Sequence, residues 1–507
     1  MANPLYDALF GRHAGSGATF LRLADGAEWS YADFVGQAAR FAHVLAASGL
    51  VPGDRLAAQV HKSPEALALY AACVQAGVIF LPLNTAYTVD ELTYFIENSG
   101  ARMVVCDESA RAALAPVAGR ASASTETLNA DGTGSLPAAA AVMPAEFATV
   151  ARDHDDLAAF LYTSGTTGRS KGAMLTQANL LSNAQTLAGL WRFTSDDVLL
   201  HALPIFHTHG LFVATNVTLV AGGAMILLPK FDLDTMIAGL PGATTLMGVP
   251  TFYTRLLDDP RFTADLTGHM RLFISGSAPL LAETHERFEA RTGHRILERY
   301  GMTETNMNTS NPYDGERRAG TVGFPLPGVE LKITDPETGA PLPEGAVGQI
   351  EVRGPNVFAG YWRMPEKTAA ELRDDGFFIT GDLGRIDADG YLHIVGRNKD
   401  LIISGGYNIC PKEIELILDA QPGVLESAVI GVPHADLGEA VLGLIVPAPG
   451  EAPDLDAMAG AARAALARFK QPRALIAIDA LPRNTMGKVQ KNLLREQYAA
   501  HFSRAGS

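Results

Sequence analysis

Apolar positions along this chain recur at two spacings, and the alternation between them predicts its architecture. Tyr31, Phe34, Ala38, Phe41 and Leu45 fall on one face of a helix, with Ser30 and Asp33 placed as a capping box and Gly49 as its stop. A strand-like run over 55–60 follows, and then a second helix opened by Ser63-Pro64 and closed by Gly77. Such alternation of strand and helix points to parallel sheets covered by helices. Over residues 109–147 large apolar side chains thin out in favour of Ala, Ser, Thr and Gly, which predicts a loose surface excursion. The apolar run from Leu157 to Tyr162 fits a buried strand.

Residues 210–229 carry no charge, but Thr215, Asn216, Thr218 and the Gly222-Gly223 pair interrupt any uniform apolar face. The expectation there is a buried helix-turn-strand, not a membrane span. Short strands such as Gly348 to Arg353 and Asp-Gly turns lead to a change of character near Arg397. Beyond it, Leu401 to Ile403 runs through Gly405-Gly406 into a helix opened by Pro411, with Ile414, Ile417 and Leu418 on one face. Strand-like runs at 428–432 and 442–446 and an Ala-rich helix over 455–469 complete a compact α+β unit. The predicted division is therefore a domain of residues 1–397 and a smaller one of 398–507, with no internal repeat.

Composition narrows the partners. A chain of 507 residues is too long for a single core. With 40 basic against 55 acidic residues and a net charge of −15, neither nucleic acid nor an anionic membrane is expected as the main partner. An anionic substrate would need a locally positive pocket. Cys73, Cys106 and Cys410 are too widely spaced for a disulfide framework or a cysteine metal site, which points to a reducing compartment. The first residues, Met1 to Asp7, lack the pattern of a signal peptide, so the expected location is cytoplasmic.

Chemistry concentrates at Tyr162-Thr-Ser-Gly-Thr-Thr-Gly-Arg-Ser-Lys-Gly172. Its glycines let backbone N–H groups turn inward, Thr163, Ser164, Thr166 and Thr167 add hydroxyls, and Lys171 adds charge, a combination suited to phosphate oxygens. It is not a Walker loop, because Ser170 stands where that motif has glycine before its lysine.

Five further motifs follow: Pro204-Ile-Phe-His-Thr-His-Gly210, Arg299-Tyr-Gly-Met-Thr-Glu304, Thr380-Gly-Asp-Leu383, Gly396-Arg-Asn-Lys399 and Asn484-Thr-Met-Gly-Lys488. Together with the 163–171 loop, in this order, they resemble the acyl-adenylate-forming superfamily from about Tyr31 to Arg495. The resemblance implies an α/β fold, in which a large N-terminal domain of layered, helix-covered sheets carries a small, mobile α+β C-terminal lid. It implies ATP, Mg2+ and coenzyme A as reaction partners. Thr163, Ser164, Gly165, Thr166, Thr167, Gly168 and Lys171 would hold the β- and γ-phosphates, Thr303 the α-phosphate and Glu304 the Mg2+. Asp382 and Arg397 would bind the ribose, Tyr300 the adenine, with Glu298 and Gly301 beside it, and His207 would wall the adenylate. Lys488 would reach the reacting oxygens from the lid, Lys399 would be the hinge, and Gly405 and Gly406 would line the pantetheine path. The segment before Lys488 reads Pro-Arg-Asn-Thr-Met-Gly, not the commoner Pro-Lys-Thr-x-Ser-Gly, but keeps the final glycine.

By the same resemblance Arg299 stands in a segment that lines the acyl pocket, and the acid is read from it. A guanidinium in a buried pocket is costly unless an anion meets it, and a second carboxylate on the substrate would. His209, Ser277 and Met302 are the other expected acyl contacts. The wording around Phe206–Gly210 and Glu298–Thr305 resembles that of malonate–CoA ligases. A ligase for acetate or propionate, a luciferase-like oxygenase and a non-catalytic nucleotide-binding protein would share the nucleotide motifs. Lys488 is also an expected acetylation site, where loss of its charge would stop the first half-reaction.

Overall fold

A computed structural model describes residues 3–163, 170–404, 407–434, 437–484 and 487–502. Packing divides the chain into two compact units, Met1–Glu330 with Arg353–Phe378, and Leu331–Val352 with Ile379–Ser507. Residues 379–397, which the sequence attaches to the large domain, thus cluster with the C-terminal residues.

The first unit is built on two sheets. One runs Ser124–Thr127, Met103–Cys106, Arg55–Gln59, Ile79–Pro82, Leu157–Thr163 and Lys171–Thr176 in spatial order, parallel except for its last pair. The other has nine strands, with a parallel centre that includes Val198–His201, Thr245–Gly248, Leu272–Ser275 and Leu297–Met302. The expected helices form as Tyr31–Ala47, with the Ser30/Asp33 capping box in place, and Pro64–Ala76, capped by Ser63 and ended by Gly77 in the left-handed conformation.

Two local results differ from, or add to, the sequence reading. Residues 109–147 are no loose excursion: they hold the helix Glu108–Arg120, the edge strand Ser124–Thr127 and the helix Ser135–Ala140. Small alanines mask the apolar stripe there, but Leu114, Val117 and Ala118 still bury against the sheet. The charge-free segment does form a buried helix-turn-strand, and its first part, His209–Thr215, is π-helical, a form frequent at functional sites. No helix among the described residues is long and apolar enough to cross a membrane.

The second unit contains a four-stranded sheet of Glu330–Thr334, Gly348–Arg353, Phe378–Ile386 and Leu392–Arg397. A five-stranded sheet follows, centred on the long antiparallel pair Val424–His434 and Gly438–Pro447. The helices Pro411–Asp419 and Leu455–Ala465 cover it through Ile414, Leu418, Met458 and Ala462.

Candidate active site

In a doubly wound sheet, ligands collect beyond the carboxyl ends of parallel strands. In the first unit such ends include His201, Ser275 and Met302, and the segments leaving them carry His207, His209, Ser277, Thr303 and Glu304 of the sequence-predicted residues. Ser275 pairs with Glu298, so Gly276 comes level with Arg299 on the next strand. Arg299 is 3% exposed, and its Nε and Nη2 have no hydrogen-bond partner. Burial pulls its pKa down to about 9, with Tyr253 and Glu298 opposing, so it stays charged at neutral pH. Glu298 accepts the backbone N–H of Leu280 at 3.2 Å.

His209, fully buried, shares a 3.2 Å hydrogen bond between its Nδ1 and Ser277 Oγ, while its Nε2 has no partner. Burial and the Arg299 charge push its pKa well below the ordinary histidine value, so the ring is neutral. Ser277 adopts φ +71°, a left-handed conformation rare for a serine. Arg299 and His209 thus bring three buried nitrogens without a hydrogen-bond partner, Nε, Nη2 and Nε2, to the neighbourhood of the His209–Ser277 pair. His207 stands beside it, its Nδ1 accepting the His209 N–H at 3.2 Å.

Thr303 and Glu304 lie in the turn of the antiparallel hairpin Leu297–Met302 and Asn306–Ser310. Gly301 sits at its bulge, where a Cβ would fall 1.8 Å from the Asn306 carbonyl oxygen. Met302 and Tyr300 are half-buried on the same strand. Glu304 Oε1 accepts from the Tyr361 hydroxyl at 3.0 Å, and the same hydroxyl lies 2.7 Å from Glu371 Oε2. Lys171 Nζ completes the group, 3.1 Å from Tyr361 Oη and 3.2 Å from Glu371 Oε2, with its ammonium over the Tyr361 ring. Burial raises the Glu304 pKa, and the Tyr361 bond and the Lys171 charge oppose it. Among the described residues no three His, Cys, Asp or Glu gather as a metal cage. A single buried carboxylate does fit Mg2+, which takes most of its ligands from phosphate and water.

Lys171 faces Thr163 across the hairpin that carries the hydroxyl-rich loop. The expected sites Ser164, Gly165, Thr166, Thr167 and Gly168, and likewise Gly405 and Gly406, lie outside the described residues.

The second unit assembles its own constellation. Asp382 and Arg397 pair across adjacent antiparallel strands, with Arg397 Nε 2.9 Å from Asp382 Oδ1. Asp382 is further fixed by Gln349, which donates to its backbone carbonyl at 3.0 Å. Lys399 sits in the 3-10 turn Asn398–Asp400 that follows, and burial and Arg397 lower its pKa. Lys488 is anchored at its backbone N–H by Asn484 Oδ1 at 3.0 Å. Burial, then the Arg397 charge, lower its pKa to about 8, with Asp382 opposing.

Sequence reasoning missed Tyr361, Glu371 and Gly276. Tyr361 and Glu371 lie far from any quoted motif, and only Ala359-Gly-Tyr-Trp362, an aromatic pair after a glycine, marks their neighbourhood. Gly276 lies in Ser275-Gly-Ser-Ala-Pro279, a turn signal directly after a β-run.

The family model of the AMP-binding enzyme matches residues 11–362, and that of the AMP-binding enzyme C-terminal domain matches residues 413–488. The solved structure of ATP-bound MatB from Rhodopseudomonas palustris is 60% identical, covers 99% of this chain and 100% of its own, and superposes with a TM-score of 0.97. A malonate–CoA ligase of Arabidopsis thaliana is 34% identical over 97% of this chain and 88% of its own length. A feruloyl-CoA synthase of Amycolatopsis sp. is 37% identical over 93% and 94%.

Proposed function

Because this chain belongs to the AMP-binding enzyme family, we propose that it joins malonate to coenzyme A through malonyl-adenylate, releasing pyrophosphate and AMP. The observation that carries the choice of acid is Arg299, buried with Nε and Nη2 unpaired beside the His209–Ser277 pair. The Nε–Nη2 edge of a guanidinium matches a carboxylate in two parallel hydrogen bonds. A substrate with a single carboxylate would leave that edge unmet once its own carboxylate turned to the nucleotide. The malonate ligases among the relatives support the same reading.

In the first half-reaction a carboxylate oxygen attacks the α-phosphorus of ATP and the bond to pyrophosphate breaks. Two anions must meet, so the residues of this chain supply donors and positive charge at fixed places. Thr303 holds the α-phosphate, Lys171 and the residues after Thr163 hold the outer phosphates, and Asp382 with Arg397 holds the ribose. Tyr300, with Glu298 and Gly301, lines the adenine side, and His207 closes the adenylate side. Glu304 would hold Mg2+, which neutralises phosphate charge when bound. Lys488 contributes its ammonium to the oxygens that change charge. In the second half-reaction the coenzyme A sulfur attacks the acyl carbon and AMP leaves, the chain pivoting at Lys399 between a domain of 1–397 and a lid of 398–507. Acetylation of Lys488 would remove the charge that the first step needs. The free cysteines fit a cytoplasmic setting.

The test is ATP- and coenzyme A-dependent AMP release with malonate beside acetate, propionate, succinate and octanoate. Malonate far ahead is expected; a monocarboxylate ahead would retain the chemistry and refute the role given to Arg299.

A further inference from the structure

Lys62 is a buried amine that none of these steps uses. It precedes the Ser63 cap of the helix Pro64–Ala76, and its Nζ lies 2.7 Å from His201 Nδ1, 2.7 Å from the His201 carbonyl oxygen and 3.0 Å from the Leu203 carbonyl oxygen. All three partners are neutral, and burial alone drives its pKa well below the ordinary lysine value. An ammonium so placed is expensive to desolvate, and a residue chosen only for packing would be apolar.

The far side of His201 gives the reason. His201 Nε2 lies 2.9 Å from the Gly210 carbonyl oxygen, which also accepts from Thr215 Oγ1 at 2.9 Å. A carbonyl can only accept, so Nε2 carries the proton and Nδ1 of the neutral ring accepts from Lys62. Burial and the Lys62 charge both keep His201 neutral. The donor at Nδ1 from Lys62 and the acceptor at Nε2 from Gly210 are met by the same tautomer, so Lys62 supports the hold on Gly210. That turn is tight: a Cβ on Gly210 would fall 2.1 Å from the Pro204 carbonyl oxygen. His209 is the residue next to Gly210, and His207 lies inside the same fold-back. Lys62 therefore grips the segment at its start, through the 201 and 203 carbonyls, and at its end, through His201.

We infer that Lys62 is a positioning residue for the acyl pocket, holding the 201–210 segment so that His209 meets Ser277 and Arg299. The inference rests on the reading of that pocket as the acyl site, and it adds a determinant of acid affinity that lies outside the pocket.

The test compares Lys62→Met, His201→Leu and His201→Gln with the parent enzyme, measuring KM for malonate and for ATP separately together with thermal melting. Glutamine keeps one acceptor and one donor, so it can stand in for the imidazole; leucine cannot. The expected result is a malonate KM raised about tenfold or more in Lys62→Met and His201→Leu, an ATP KM within about twofold of the parent, and partial recovery in His201→Gln. Equal changes in both KM values, or melting changes with no shift in malonate KM, would overturn the inference. Should Lys62→Met not fold, the His201 pair still decides it. A parent enzyme that ignores malonate would instead refute the proposed substrate, and the same variants would then be read with its best acid.

Discussion

Arg299 lies directly over Gly276: a Cβ built on that glycine would stand 2.3 Å from the guanidinium carbon and 2.7 Å from Nε. The parallel pairing of Ser275 with Glu298 makes the two residues cross-strand neighbours, and the missing side chain leaves room for the planar group to lie flat. The glycine shapes the seat of the guanidinium, and the seat leaves Nε and Nη2 without a hydrogen-bond partner.

Gly276→Ala should therefore displace Arg299. An overpacked, well-ordered site costs about 1–3 kcal/mol. The expected outcome is a lower melting temperature and a malonate KM raised about tenfold or more with the ATP KM little changed. Steady-state kinetics on both substrates checks it, and an unaltered malonate KM would mean the guanidinium does not touch the acid.

Arg299→Met separates function from stability. Each charged hydrogen bond is worth about 1.5–3 kcal/mol, so losing two should lower kcat/KM for malonate at least about a hundredfold. The same change removes a buried charge with unpaired donors, so the ligand-free protein should melt at the same temperature or higher. A large loss of stability would show that Arg299 is structural.

Tyr361→Phe removes the hydroxyl that Glu304, Glu371 and Lys171 share. One phenolic proton serves two carboxylates, so without it Glu304 and Glu371 lose their common tether. At about 1–3 kcal/mol for a broken buried bond, kcat for pyrophosphate exchange should fall about 5- to 150-fold, and more Mg2+ should be needed for half-maximal rate. An unchanged Mg2+ dependence would dissociate Tyr361 from Glu304.

Lys488 has a pKa lowered to about 8, so its ammonium is intact below that pH and loses its proton as pH rises through it. Adenylation, followed by pyrophosphate exchange, should decline above about pH 8, while thioester formation from supplied malonyl-adenylate should not share that limb. Lys488→Ala should abolish the first reaction and spare the second; failure of both would refute the division of labour.

Asp382→Ala breaks the pairing with Arg397 and, on the proposed function, removes a ribose ligand with it. The ATP KM should rise about tenfold with the malonate KM nearly unchanged. Binding of ATP measured by calorimetry checks the sign.

Much of this protein was legible in its sequence because the controlling physics is local. Ser30 with Asp33, and Ser63 with Pro64 and Gly77, specify helix ends within a few residues, and they stand where the chain places them. The hydroxyl-rich loop is a chemical string whose residue types suit phosphate oxygens, and the motifs around Arg299, Asp382 and Lys488 are strings that carry the family resemblance. Residues 109–147 read as a loose excursion because helix Glu108–Arg120 carries alanines on its exposed and buried faces alike, so only Leu114 and Val117 mark its apolar stripe. What only the tertiary structure decided are the relations between residues far apart in the chain. Lys62 reaches His201, Lys171 and Glu304 meet on Tyr361, and Gly276 makes room for Arg299. A lysine, a tyrosine or a glycine alone carries no address. Sheet order and register bring such groups within a few ångströms, and burial then makes each unmet donor costly enough to demand a partner.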